Sequence, residues 1–418
     1  MKKIIYIITF LVALSNLLGC IEPYNLNSEY FEENIVIEAN ITNKLEKQRI
    51  KVSKTYPIDS ETYQPGGNAV SVKVKSEQGA EFTFSYQEED STYVSDEAFK
   101  AQPNILYTLE VATANDLYTA NSYFENEVTL ENIGIEKSTN KEGIEGLDIT
   151  VNANSNSEDD KYYRYKYEET FTLTAPYYSP YKAILTEMPL GYGQFSFLDY
   201  LVIRAYDDTI YHRDCYRTEF HNKPILTTTQ NLSEDDLSNF TISFIPKTNY
   251  KLNDRYTIKI TQYAQSREAY TFYKILQELN YNEETLSPNQ PGFVQGNIQS
   301  VNFPEKKVIG FFDIVSISSK RVFINRSDYY PNEPISEYFI ECEVQDFWKL
   351  QPPGLVIEDR LNEGIRLVSI VQQNSLILYD YYGYYDNNIG YEYFLMVKPE
   401  CGDCSVLGNP EPPPFWQE

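Results

Sequence analysis

From Ile35 to Ala120, apolar side chains recur at every second position in short runs, each closed by turn-forming residues. A period of two places alternate side chains on one face, so each run reads as a strand with one buried and one wet side. The runs are Ile35 to Ile41, Gln48 to Ser53, Ala69 to Lys75, Glu81 to Tyr86, Thr92 to Val94, Leu106 to Val111 and Leu117 to Ala120. In the third, Val70, Val72 and Val74 alternate with polar residues. Pro65-Gly66-Gly67, Gln78-Gly79 and Asn115-Asp116 supply the turns. Seven short strands within roughly 90 residues predict an immunoglobulin-like β-sandwich over residues 34–128.

Residues 129–418 predict a larger β-rich domain with one inserted α-helix, so the expected fold class is mainly β. Strand patterns begin near Leu130 and continue through Ile149 and Val151. From Tyr162 to Thr174 a long run alternates Tyr163, Tyr165 and Tyr167 against Arg164, Lys166 and Glu168. The loop before it carries Glu158, Asp159 and Asp160, which lack the spacing and turn glycine of a calcium loop and read as a solvated hairpin tip. After the strand Tyr256 to Tyr263, a helix is expected over 266–281. Ser266 serves as its N-cap, Glu268 favours its first turn, and Ala269, Phe272, Tyr273, Leu276 and Leu279 form its apolar face. Strands are expected again at Phe293 to Gly296, Val308 to Val315 and Arg321 to Asn325. Tyrosine, at 38 residues, is a β-former that packs an apolar body beneath a polar tip.

Residues 1–19 have the layout of a secretory leader: Lys2 and Lys3, an apolar run from Ile4 to Leu14, then Leu17-Leu18-Gly19 before Cys20. The run is too short to span a bilayer, which takes about 20 apolar residues. Its end reads as a lipobox in which Cys20 becomes the acylated amino terminus, anchored by fatty acyl chains of the palmitate kind. Residues 20–33 then read as an acidic tether. The net charge of −26 argues against nucleic acid as a partner and suits a body held off an anionic membrane.

Four further cysteines, Cys215, Cys342, Cys401 and Cys404, are expected as disulfides in an exported chain, in any of three pairings. The only histidines are His212 and His221, so a histidine-based triad has few places to form. With Cys215 they make a loose cluster without zinc-site spacing, and no metal or cofactor is expected. No nucleophile elbow, phosphate-cradling loop or dinucleotide fingerprint occurs, and the chain is not expected to be an enzyme. Two tyrosine-rich stretches remain as a candidate binding surface: Tyr177, Tyr178 and Tyr181, and Tyr381, Tyr382, Tyr384 and Tyr385. Tyrosine offers large contact area at low rotamer cost.

Several segments carry a family resemblance. Ile35 through Thr42, Tyr93-Val94-Ser95 to Phe99 and Tyr107-Thr108-Leu109 come first. Cys215-Tyr216-Arg217-Thr218, Asn231-Leu232-Ser233, Arg255-Tyr256 to Gln262-Tyr263 and Glu268-Ala269-Tyr270 follow. Then come Gln295-Gly296-Asn297-Ile298, Val308-Ile309-Gly310-Phe311-Phe312, Lys320 to Ile324, and Cys401-Gly402-Asp403-Cys404 ahead of Pro414-Phe415-Trp416. In this order, over roughly residues 20–416, the chain resembles a Bacteroidota outer-membrane lipoprotein family known as domain of unknown function family 4249. Of the tail glycines expected after the cysteine pair, only Gly408 is present.

The resemblance implies an outer-membrane lipoprotein, lipid-anchored and facing the cell exterior, that assists a TonB-dependent barrel of the SusC type in nutrient or polypeptide handling. Glu22, Glu29, Glu32 and Glu33 are compatible with an acidic surface-export signal after the acylated cysteine. The alternatives are a structural or adhesive surface protein, an accessory part of an outer-membrane protein assembly machine, and a carbohydrate-active enzyme, which would need two carboxylates about 5–10 Å apart across a cleft.

Overall fold

The period-two runs form strands, and their pairing builds the molecule around three cores. In the computed structural model the described residues are 33–56, 69–154, 162–185, 201–205, 211–230, 236–281, 293–348, 366–386 and 389–417. The leader, Cys20, the tether except Glu33, and Glu158, Asp159 and Asp160 lie outside them.

The amino-terminal strands are β1 (Ile35–Thr42), β2 (Arg49–Lys54), β3 (Ser71–Ser76), β4 (Glu81–Gln87), β5 (Thr92–Ser95), β6 (Tyr107–Ala112) and β7 (Leu117–Ser122). After them come β8 (Thr129–Thr139), β9 (Glu145–Asn154), β10 (Tyr162–Thr174), β11 (Tyr181–Leu185), β12 (Leu201–Ala205), β13 (Asp214–Thr228), β14 (Asp236–Pro246) and β15 (Arg255–Gln265). A helix, α1 (Arg267–Tyr281), separates these from β16 (Gln299–Ser300) and the 18-residue β17 (Val308–Asn325). The chain ends with β18 (Gln345–Trp348), β19 (Ile377–Asp386), β20 (Ile389–Val397) and the tail. The fold is mainly β.

The first core is enclosed by strands in the order β17-β1-β2-β5-β4-β3-β6-β7-β16. This layer curls until its ends approach, and the Ile314 N–H of β17 donates to Ser122 Oγ of β7 at 3.0 Å. Inside lie Ile37, Ile41, Ile50, Val74, Leu109 and Phe312, none with measurable exposure. Each such side chain contributes about 1.5–3 kcal/mol by leaving water. The division expected after residue 128 is therefore crossed: Ile298, Val308, Phe312 and Ile314 complete a core begun by Ile35.

Strand β17 explains the crossing. Its first half runs parallel to β1, from Ile35 opposite Val308 to Thr42 opposite Val315. Its second half runs antiparallel to β15, from Ala264 opposite Ser316 to Arg255 opposite Asn325. The sequence suggests two strands here because Ser316 to Lys320 is mostly polar. Those serines hold the segment that passes between the cores: Val128 N–H donates to Ser316 Oγ at 2.9 Å and Leu130 N–H to Ser318 Oγ at 3.0 Å. Phe293 to Gly296, expected as a strand, is irregular.

The second core lies between the sheet β13-β10-β15-β17 and the three-stranded sheet β14-β9-β8. Leu147, Ile149 and Val151 of β9 meet Tyr163, Tyr165 and Phe171 of β10 and Tyr256, Ile258 and Ile260 of β15. A third core joins the β11-β12 hairpin to the sheet β18-β20-β19 through Leu201, Phe347, Leu378, Phe394 and Met396. Cys342–Cys401 and Cys215–Cys404 are the two disulfides, and the second staples the tail to β13. Beyond it, Tyr216 and Asn409 exchange backbone hydrogen bonds at 2.7 and 2.8 Å, and Trp416 packs edge-on against Tyr216 and Phe323.

Helix α1 starts as the sequence predicts. The Ala269 N–H donates to Ser266 Oγ at 3.1 Å, the hydrogen bond of an N-cap. Its apolar face, Ala269 and Phe272 with Tyr273 and Leu276 behind, closes on Phe311 of β17. It thus lies over the junction where β17 leaves the first core for the second.

Candidate functional site

At this junction α1, β1, β2, β10, β13 and β17 enclose a cleft of about 630 Å³. Alternation on β10 directs Tyr163 and Tyr165 into the second core and turns Arg164 and Lys166 the other way. The sequence pattern alone makes this outer face look solvated. Helix α1 and the first core cover it instead, leaving Arg164 only 3% exposed. Its guanidinium lies 4.5 Å from the Tyr263 ring centre and 4.2 Å from that of Tyr273. Nη2 donates to Asn40 Oδ1 at 3.1 Å. Each desolvated cation–π contact contributes about 2 kcal/mol. One side chain therefore ties together β10, β15, α1 and β1.

Lys166 sits two residues along the same face, half-buried; its backbone pairs with Thr261 of β15, but its side chain makes no hydrogen bond or ion pair to any described residue. Burial lowers its pKa and the nearby Arg164 charge adds to that, while Glu38 opposes them. A bulge in β13 makes the room around it. Tyr165 is opposite Ile225 and Tyr167 is opposite His221, so Asn222, Lys223 and Pro224 loop out where Lys166 would find a ladder partner. All three line the cleft, and Gln277 Nε2 of α1 donates to the Pro224 carbonyl at 3.2 Å. Bulges of this kind re-aim side chains and end regular pairing.

Beneath, Asp313 of β17 is fully buried on the same face as Ile309 and Phe311. Its Oδ1 accepts from Ser122 Oγ at 3.4 Å, while Oδ2 has no hydrogen-bond partner. Desolvation raises its pKa to about 7 against the opposing charge of Arg164. The close fit of this junction rests on glycines. A methyl group at Gly296 would lie 1.6 Å from the Gly310 carbonyl oxygen, and one at Gly310 would lie 1.9 Å from that of Ile37. Gly310 also has φ +119, a conformation that favours glycine.

The tyrosines divide. Tyr181 of β11 and Tyr381 of β19 are exposed with their rings edge-to-face at 5.6 Å, while the exposed Tyr382 lies on the other face of β19 and its Oη donates to Asp380 Oδ2 at 2.8 Å. Tyr177 instead packs against Tyr379, and its N–H donates to the Cys401 carbonyl at 2.9 Å. Tyr178 packs on the Cys215–Cys404 disulfide. These two are structural because the disulfides draw their segment under the tail. The side chains of Tyr384 and Tyr385 lie outside the described residues, as does Cys20.

Of the histidine and cysteine cluster, His212 stays beside the Cys215–Cys404 disulfide, its carbonyl accepting from the Cys404 N–H at 3.0 Å, while His221 lies apart. Cys215 is in a disulfide, and His221 bonds Glu169 Oε2 at 2.8 Å. That nearly buried carboxylate also accepts from Lys251 Nζ at 2.8 Å and Tyr256 Oη at 2.6 Å. No group of three His, Cys, Asp or Glu side chains among the described residues is arranged to hold a metal ion. No described helix is long and apolar enough to cross a membrane.

Two cores sharing one long strand, with a third beside them, a cation-lined junction cleft and exposed tyrosines define a mainly β protein built around several cores. The chain belongs to the family described as domain of unknown function (DUF4249), which matches residues 21–321. A crystal structure of a DUF4785 family protein from Legionella pneumophila subsp. pneumophila str. Philadelphia 1 is similar over 54% of this chain and 51% of that one. Its identity is 10% and its TM-score 0.16, too slight to carry an argument. None of the curated proteins matches the chain.

Proposed function

We propose that the protein is a lipid-anchored, non-catalytic accessory subunit of an outer-membrane barrel of the TonB-dependent, SusC type. In this reading Cys20 carries the lipid, the body faces the cell exterior, and the subunit assists in handling a nutrient or polypeptide. The observation that supports it is the exposed ring pair of Tyr181 and Tyr381 beside the small third core, with Tyr382 exposed on the other face of the same strand. Exposed aromatic side chains are enriched among the anchors of protein interfaces.

The test is a pull-down through a carboxy-terminal tag from outer membranes in mild detergent, with identification of what is retained. A barrel should be retained by the native chain and lost when Tyr181, Tyr381 and Tyr382 are all changed to Ser. Recovery of the native chain alone would overturn the proposal. A second reading, a structural or adhesive stalk, draws on the single strand β17 that runs through two cores and stiffens their connection. It expects no barrel and unchanged nutrient uptake on deletion.

A further inference from the structure

The junction cleft is electrostatically at odds with the rest of the chain. The protein carries a formal charge of −26, yet Lys51, Arg164, Lys166 and Lys223 line this one hollow. Glu38 is the one carboxylate among its lining residues. Low-dielectric walls of one sign focus the field inside a cleft and raise the local concentration of the opposite charge.

An unpaired, half-buried lysine is costly for a fold, because a partly desolvated ammonium has lost water without gaining an acceptor. Among the described residues the Lys166 side chain is such a group, and that of Lys51, also half-buried and opposite Glu38 of β1, likewise makes no hydrogen bond or ion pair. Glu38 is near enough for its charge to act on Lys166, but among the described residues no acid forms an ion pair with it. A backbone bulge and a packed helix surround the group. The same cleft has an apolar side formed by Phe272, Leu276 and Phe311. Its size, about 630 Å³, is in the range that encloses a small organic molecule.

We infer that the cleft between the first two cores binds a small organic anion, its carboxylate or phosphate held by Lys166 and Lys51 and its apolar body against α1. This site is independent of any barrel partner. Carboxylate and phosphate share the chemistry that the two lysines recognise, and the probes separate them.

The purified full-length chain in detergent is titrated by calorimetry at low salt with phenylacetate, phenyl phosphate and inorganic phosphate. At least one phenyl-bearing probe should bind more tightly than inorganic phosphate and lose affinity as salt rises. Lys166→Gln should weaken it by about tenfold or more, since it removes a charge-assisted contact. Lys73→Gln, on β3 and outside the cleft, should leave it unchanged. Glu38→Gln removes the opposing charge and should tighten binding several-fold, a gain that misfolding cannot produce. Failure of both phenyl-bearing probes to bind overturns the inference. So does tightest binding by inorganic phosphate, equal affinity in Lys166→Gln, or unchanged or weaker binding in Glu38→Gln.

Discussion

The Asn297 side chain holds both backbone polar groups of Phe312. Its Nδ2 donates to the Phe312 carbonyl at 2.7 Å, and the Phe312 N–H donates to its Oδ1 at 2.9 Å. A side chain thus takes the place of a neighbouring strand along β17, one residue after Gly296 lies against Gly310.

Asn297→Ala would remove two hydrogen bonds to the Phe312 backbone, a loss of about 1–3 kcal/mol in total. Gly296→Ala and Gly310→Ala should cost more, about 3 kcal/mol or above, because backbone must move to admit the methyl group. Urea melts of the three variants check the order. Native-like stability of Gly310→Ala would show that this contact is not close-packed in solution.

Asp313 gives a pH dependence with a definite sign. In the folded protein it keeps its proton up to about pH 7, whereas the unfolded chain releases it near pH 4. Between those values the unfolded state binds fewer protons, so this group lowers stability as pH rises, and the full cost is present above pH 7. The total is at most about 4 kcal/mol. Asp313→Asn removes the slope and should gain on the native chain steadily from pH 4 to pH 7. Denaturant melts that run parallel across this range would refute it.

Glu169 has the opposite sign. Burial works to raise its pKa, but Lys251, Tyr256 and His221 together hold it below the usual carboxylate value. Its stabilising effect is present above the unfolded pKa and fades as pH falls through the lowered folded one. Glu169→Gln should cost about 2 kcal/mol at neutral pH, less than a fully broken buried pair, because Lys251 also contacts Glu219 at 2.7 Å. Thermal melts at pH 7 and pH 3 should show the difference shrinking on acidification.

The disulfides yield a test by mapping. Non-reducing digestion should recover Cys215 linked to Cys404 and Cys342 linked to Cys401, and any other pairing contradicts the fold. Cys215→Ser with Cys404→Ser should destabilise by about 2–4 kcal/mol. It should also shift Trp emission to the red as the tail loosens and Trp416 leaves Tyr216 and Phe323. Emission identical to the native chain would mean that the tail holds without its staple.

How much of this was readable beforehand differs from element to element. The β1 pattern, the Ser266 cap and the apolar face of α1 are local, and each appears where the residues predict. The polar stretch Ser316 to Lys320 misleads, because its serines hold backbone from another part of the chain rather than water. Tyr177 and Tyr381 look alike in sequence, yet one is packed beneath the tail and the other is exposed. Arg164 and Lys166 lie in the wet half of a regular alternation and carry no sequence signal of a site.

The sequence by itself determined where most strands run, which side chains share a face, where the helix begins, and that four cysteines were available to pair. Alternation and capping depend on neighbours a few residues away, so they are written locally. Only the tertiary structure decided what covers each face. Ile35 pairs with Val308 and Cys215 with Cys404 across hundreds of residues, and such partners are chosen by how whole surfaces fit. The junction cleft arises from that fit: β17 passes from one core to the next, α1 closes over the crossing, and a wet-looking strand face becomes the wall of a cleft.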